Sequence, residues 1–122
     1  MSRALWFAVV VVWCAPNSRS KRTSAMPKGY VVAMIQVNNM EGMLPYMDGV
    51  EGTVTEHGGR FLVRHMGEKL YTEDDPNPVT VVIEFPSSEA AMNWKKSDNY
   101  QAIVGLRLDN SEGPLVICDG VE

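Results

Sequence analysis

Glu84 stands at the end of an otherwise apolar run, Val79-Thr80-Val81-Val82-Ile83, directly before Phe85-Pro86. A carboxylate held there, partly out of water, has its pKa raised unless a cation pairs with it, which is how a general base is made. The structural alternative is an ion pair with Arg60 or Arg64 on a neighbouring strand. Those arginines lie four apart in the segment HGGRFLVR (residues 57–64) and, at a strand period of two, point to the same face. Two guanidinium groups lining a cavity would grip the carboxylate of a small organic acid through forked hydrogen bonds. At an exposed strand edge the same pair is a solvated charged face that deters edge pairing. His57 is a second acid–base candidate, because histidine as a residue type can exchange a proton in the physiological range. Its place before Gly58-Gly59 is equally well explained as a helix end, where an imidazole suits the dipole. Trp94 and Tyr100 either wall a pocket, the phenol serving as its polar handle, or fill the core. His65, in step with Phe61 and Val63, reads as a core or interface histidine.

Other chemistries lack their residues. Gly58-Gly59 has no GxGxxG or GKS context, and neither HExxH nor a Ser-His-Asp spacing occurs, so a nucleotide-dependent or zinc enzyme is not indicated and no cofactor or metal is expected. The two cysteines, Cys14 and Cys118, fall in different compositional regions and form no CxxC or Cys/His pattern. Cys118 follows Leu115-Val116-Ile117 and is expected to be a small buried hydrophobe. Six methionines spread between Met34 and Met92 have no Cys/His set beside them and read as adaptable packing.

The charge is unevenly spread. Residues 1–25 contain Arg3, Arg19, Lys21 and Arg22 and no acid, a charge of +4, which leaves −8 on residues 26–122 of a chain whose total is −4. An acidic body repels phosphate backbones, so nucleic-acid binding is not expected. Residues 4–15 are mostly apolar, the length of a signal-peptide core and too short for a transmembrane span. The basic residues that follow fit a secretory signal poorly and give the stretch some organelle-targeting character. The other reading is that residues 1–25 precede the true start at Met26. The expectation is a single domain over residues 26–122, cytoplasmic if Met26 is the start and exported or organelle-targeted if the extension is real, with no membrane contact by the folded part.

These side chains must be positioned by elements that the apolar periodicity marks out. Residues 29–37 (GYVVAMIQV) form a β-type run. Asn38 and Asn39 are cap-type residues opening a helix with apolar positions Met40, Met43, Leu44, Met47, Val50 and Val54. Pro45, Gly42, Gly49 and Gly52 weaken that helix locally, so a bend near Pro45 or a late start is expected. Residues 60–66 alternate as a half-buried strand, the acidic EDDPNP turn leads into a buried strand over 79–85, and Ser87 caps a helix to residue 96. Ser97-Asp98-Asn99 restarts it, burying Tyr100, Ile103, Val104 and Leu106, and residues 114–118 give a last strand. The order βαββαβ specifies an α+β, ferredoxin-like sandwich with an antiparallel four-stranded sheet and two helices on one face. One sheet face then stays open, yet runs such as residues 31–35 and 79–83 call for burial on both sides.

The segments MPKGY, HGGRFLVR and VTVVIEFPSSEAAMNWKKSDNYQ, taken in order, make residues 26–121 resemble domain-of-unknown-function family 1330. The resemblance includes the Glu-Phe-Pro run at Glu84, the mid-helix aromatic at Trp94 and the Tyr-Gln pair at Tyr100. The first helix departs from it, being poorer in Ala than the family's. It implies a homodimer joined sheet to sheet in a dimeric α/β barrel, an arrangement shared by lactone isomerases, dehalogenase-like proteins and heme-free monooxygenases. By that analogy the chain is either a cofactor-independent enzyme acting on a small organic acid, lactone or phenol, with Glu84 or His57 moving a proton and Arg60, Arg64, Trp94 and Tyr100 holding substrate, or a non-catalytic dimeric small-molecule-binding module.

Overall fold

The computed structural model describes residues 27–121. The expectations for the N-terminal extension lie outside these residues. The elements run β1 (Gly29–Val37), α1 (Met40–Glu56), β2 (Arg60–His65), β3 (Val79–Phe85), α2 (Ser88–Lys96), α3 (Asp98–Asn110), β4 (Ser111–Glu112) and β5 (Leu115–Asp119). All strand pairs are antiparallel. β1 lies between β3 and β5, β2 forms the edge beyond β3, and the two-residue β4 extends the β5 side against the end of β1. This is the ferredoxin-like α+β sandwich, with β4 as an unforeseen addition and a third helix where two were expected.

The third helix exists because Ser97 is extended at φ −66°, ψ 150° and serves both neighbours. Its hydroxyl donates to the Trp94 carbonyl at 2.8 Å, closing α2, and accepts from the Tyr100 amide at 3.2 Å, opening α3. The other caps follow the sequence. Asn39 accepts from Gly42 N at 3.1 Å and Ser87 from Ala90 N at 3.1 Å, each satisfying an amide with no partner inside the helix. Gly58, at φ +81°, takes the left-handed position after His57 that ends α1.

α1 starts at Met40 with Pro45 inside it, so the expected late start does not occur. Its buried stripe is Met43, Tyr46, Val50, Thr53 and Val54, whereas Met40 and Leu44, expected inside, are 42% and 49% exposed. The 3-4-3 step from Met43 through Tyr46 and Val50 to Thr53 tracks the helix repeat better than the apolar positions do. Thr53 tolerates burial because its hydroxyl bonds to Val50 O at 2.7 Å and accepts from Trp94 Nε1 at 3.0 Å.

The core lies between the helices and one face of the sheet. Val31, Ala33 and Ile35 of β1 and Val79, Ile83 and Phe85 of β3 point into it, with Trp94 packed between Phe85 (centroids 5.5 Å) and Tyr100 (4.2 Å). The alternate residues of the same strands form the other, uncovered face. Cys118 belongs to that face opposite Tyr30 and is exposed, which corrects its expected burial. A five-residue strand at the sheet border has only its alternate side chains, Leu115 and Ile117, directed inward.

Candidate functional site

A β-bulge decides where the arginines go. The β2–β3 register runs Arg60 to Glu84 and Phe61 to Ile83, then resumes at Val63 to Val82, Arg64 to Val81 and His65 to Thr80. Leu62 is the extra residue, and one extra residue reverses the facing of everything after it. Arg60 therefore shares the uncovered face with Glu84, while Arg64, opposite Val81, points toward the helices. The expectation that Arg60 and Arg64 share a face is thus corrected, as is the pairing of Phe61 with Val63 and His65. His65 lies on the uncovered face with Val63, exposed, its Nε2 2.9 Å from Glu68 O.

On that face Glu84 is fully engaged. Its Oε2 accepts from the Tyr30 hydroxyl at 3.0 Å, and its Oε1 pairs with Arg60 Nε at 3.1 Å. The Tyr30 hydrogen bond, followed by Arg60, holds its carboxyl below the ordinary glutamate value, outweighing the opposite effect of burial. Glu84 is thus an ion-paired, weakly basic carboxylate at neutral pH. Arg60 is largely in solvent and serves this pair. His57 lies at the end of α1 with its Nδ1 3.2 Å from Thr53 O, in its own helix. Neither Glu84 nor His57 borders the cavity described next.

Between α1, α3 and the inner sheet face is a cavity of about 80 Å³. Its walls are mainly apolar side chains of β1, β3 and α1, including Met43 and Met47, with Met66 from just after β2, and among the described residues the only charged ones on it are Arg64 and Arg107. Trp94 also lines it, with its indole N–H already donated to Thr53. Arg64 is 39% exposed and marks the solvent side. Its guanidinium stacks over the Phe61 ring at 4.2 Å and reaches Glu51 at 3.4 Å. Such a surface pair holds the side chain only loosely.

Arg107 is different. It is only 8% exposed, and among the described residues its side chain donates from Nε to the Tyr100 hydroxyl at 3.4 Å, interacts with the Tyr46 phenol and makes no ion pair. The Tyr100 hydroxyl lies 2.9 Å from that of Tyr46, which lines the cavity. Burial, and then the neighbouring Tyr100, push the Tyr46 phenol far above its ordinary range, against the opposing pull of Arg107. The Tyr46 phenol is therefore a hydrogen-bonding group and not a base.

Of the residues singled out in the sequence, the fold brings Arg64 and Trp94 to the cavity and sets Tyr100 just behind its wall. Arg60, Glu84 and His57 lie elsewhere. Arg107 and Tyr46 escaped the sequence reading. A signal for Arg107 exists, because Tyr100, Val104 and Arg107 are spaced 4 and 3, so an arginine sits on the apolar stripe of α3. Among the described residues, no group of His, Cys, Asp or Glu is arranged to hold a metal ion, and no helix is long and apolar enough to cross a membrane.

The fold recurs in solved structures. A protein of unknown function from Rhodopseudomonas palustris, RPA0582, aligns in its methylated form with a TM-score of 0.67 at 11% identity, over 88% of this chain and 94% of its own. A conserved protein from Methanosarcina mazei Go1 aligns with a TM-score of 0.51 at 19% identity, over 77% and 93%. At these identities the likeness concerns the fold alone. No curated protein matches the sequence. The family model described as domain of unknown function (DUF1330) matches residues 28–121, the whole ferredoxin-like domain, and the chain belongs to that family.

Proposed function

We propose that this protein is a homodimeric small-molecule-binding module, each subunit carrying its ligand in the cavity beneath α1 and α3. The observation that carries this reading is the makeup of the cavity wall: among the described residues, apolar side chains, two guanidinium groups and a phenol, with no carboxylate or imidazole. Such a lining binds and orients, as ligand pockets do with a few polar groups on an apolar wall. A proton-transfer enzyme needs an acid–base group within reach of the substrate. Glu84 and His57, the acid–base candidates, are engaged elsewhere. Two copies joined through their uncovered sheet faces would bury Val32, Met34, Val82 and Val116, for which one copy offers no cover.

The test is a ligand-induced thermal-shift panel of small carboxylic acids, lactones, phenols and uncharged analogues on the wild type and on Ala33→Leu. Ala33 lines the cavity from the middle of β1, so a leucine there fills it. Binding to the native state raises the melting temperature by mass action. The expected outcome is a saturable shift with at least one class, lost in Ala33→Leu. A panel without any shift, or one unchanged in the filled variant, overturns the reading.

A further inference from the structure

We propose that the ligand is a short-chain monocarboxylate whose carboxylate is held by Arg107 and Tyr46 at the inner end of the cavity, with its alkyl part against the valine, isoleucine and methionine side chains. This rests on the cavity being a binding site and adds the chemical class.

A buried guanidinium without an anion is an unfinished arrangement, since a charge out of water is costly unless something pairs with it. Arg107 is in that position, 8% exposed with no carboxylate beside it among the described residues, and it lies on the cavity wall. Its hydrogen bond to Tyr100 also bears on the two phenols. The Tyr100 oxygen accepts from Arg107 Nε and lies 2.9 Å from the Tyr46 hydroxyl, and in the proposed arrangement Tyr100 gives its proton to Tyr46. The Tyr46 proton is then left for an acceptor in the cavity. Arg107 and Tyr46 both line the cavity, so the donors left over by this chain of hydrogen bonds adjoin it. A carboxylate, acceptor-only with two oxygens, complements that set. A neutral hydroxyl or amide offers these donors a weaker, uncharged acceptor.

The remaining wall limits the rest of the molecule. A cavity of about 80 Å³ is roughly half the ~150 Å³ space that takes up benzene in an engineered apolar cavity. A ligand smaller than benzene follows, roughly three to four non-hydrogen atoms in the space as it stands and up to about six with give from Met43, Met47 and Met66. The second carboxylate of a diacid would lie among aliphatic side chains or compete with Glu51 for Arg64. Arg64, on the solvent side of the same cavity, instead favours the approach of an anion.

Isothermal titration of the full chain with propionate and butyrate, their amides and succinate tests this. The acids are expected to bind ~10- to 100-fold more tightly than the matching amides, the contribution of a hydrogen bond to a charged partner, and succinate more weakly than butyrate. Arg107→Gln is expected to abolish the acid–amide difference, and Arg107→Lys to restore part of it. The acid–amide comparison uses wild-type protein only, so a variant that fails to fold does not blunt it. Amides binding as tightly as acids would overturn the carboxylate class and leave the cavity as a binding site. Uptake of none of the five compounds, with the thermal-shift panel positive for another class, would also overturn the class alone. Silence in both experiments would overturn the class and the cavity reading together.

Discussion

At Glu84 a charge is answered from both sides, by the Tyr30 hydroxyl on Oε2 and Arg60 on Oε1. Because its folded pKa lies below its unfolded one, the unfolded chain takes up the proton more readily. The stability it contributes is present above the ordinary glutamate pKa and is lost as pH falls through the lowered value. Glu84→Gln is therefore expected to flatten the stability–pH profile on the acid side, and to leave ligand-induced thermal shifts untouched. Urea melts of both proteins from pH 7 down to pH 3 check the first point. Parallel profiles, or loss of ligand shifts in the variant, would contradict this role. The Glu84 ion pair was legible in the sequence as one of two readings, because an acid ending an apolar strand beside an arginine strand has few other partners. Arg107 was harder to see. A single arginine among the charged positions of an amphipathic helix marks burial only through its spacing, and its lack of a partner is a fact of tertiary packing.

The elements were read more completely than the side chains they carry. Strand and helix order, the caps at Asn39, Ser87 and Ser97 and the stop at His57-Gly58 rest on local rules that tertiary contacts here reinforce. The bulge at Leu62 carries no local signature, since RFLVRH alternates acceptably in either facing. That one residue sent Arg64 to the cavity and left Arg60 outside. α1 shows the reverse tension, with weak local propensity sustained by packing. Gly52 is exposed and a Cβ there would meet nothing within 4 Å, whereas at Gly42 it would run into the Asn110 side chain. Gly52→Ala is expected to stabilise the protein by about 0.5–1 kcal/mol, through helix propensity alone. Gly42→Ala is expected to gain nothing or to lose stability. Denaturant unfolding midpoints at constant slope distinguish the two, and an equal gain at both sites would show that α1 is not packed as described.

For the whole molecule, the uncovered face is the feature that one copy leaves unresolved. Val32 sits at its centre, opposite Val82 on one side and Val116 on the other. In the proposed homodimer, Val32→Asp places a carboxylate with no partner in the middle of the sheet-to-sheet contact. Sedimentation equilibrium is expected to give a dimer for the wild type and a monomer for Val32→Asp, with far-UV circular dichroism preserved. A wild-type monomer, or a variant that stays dimeric, would contradict the arrangement.

The most direct test of the cavity as a ligand site is a methionine-methyl NMR titration of the wild-type protein with butyrate, butyramide, γ-butyrolactone and phenol in turn. Met43, Met47 and Met66 line the cavity, while Met34 lies on the uncovered sheet face and Met92 on the exterior of α2. A saturable shift of the first three methyl signals with at least one compound, leaving those of Met34 and Met92 in place, is the predicted result. Signals that do not move with any of the four, or movement confined to Met34, would contradict it.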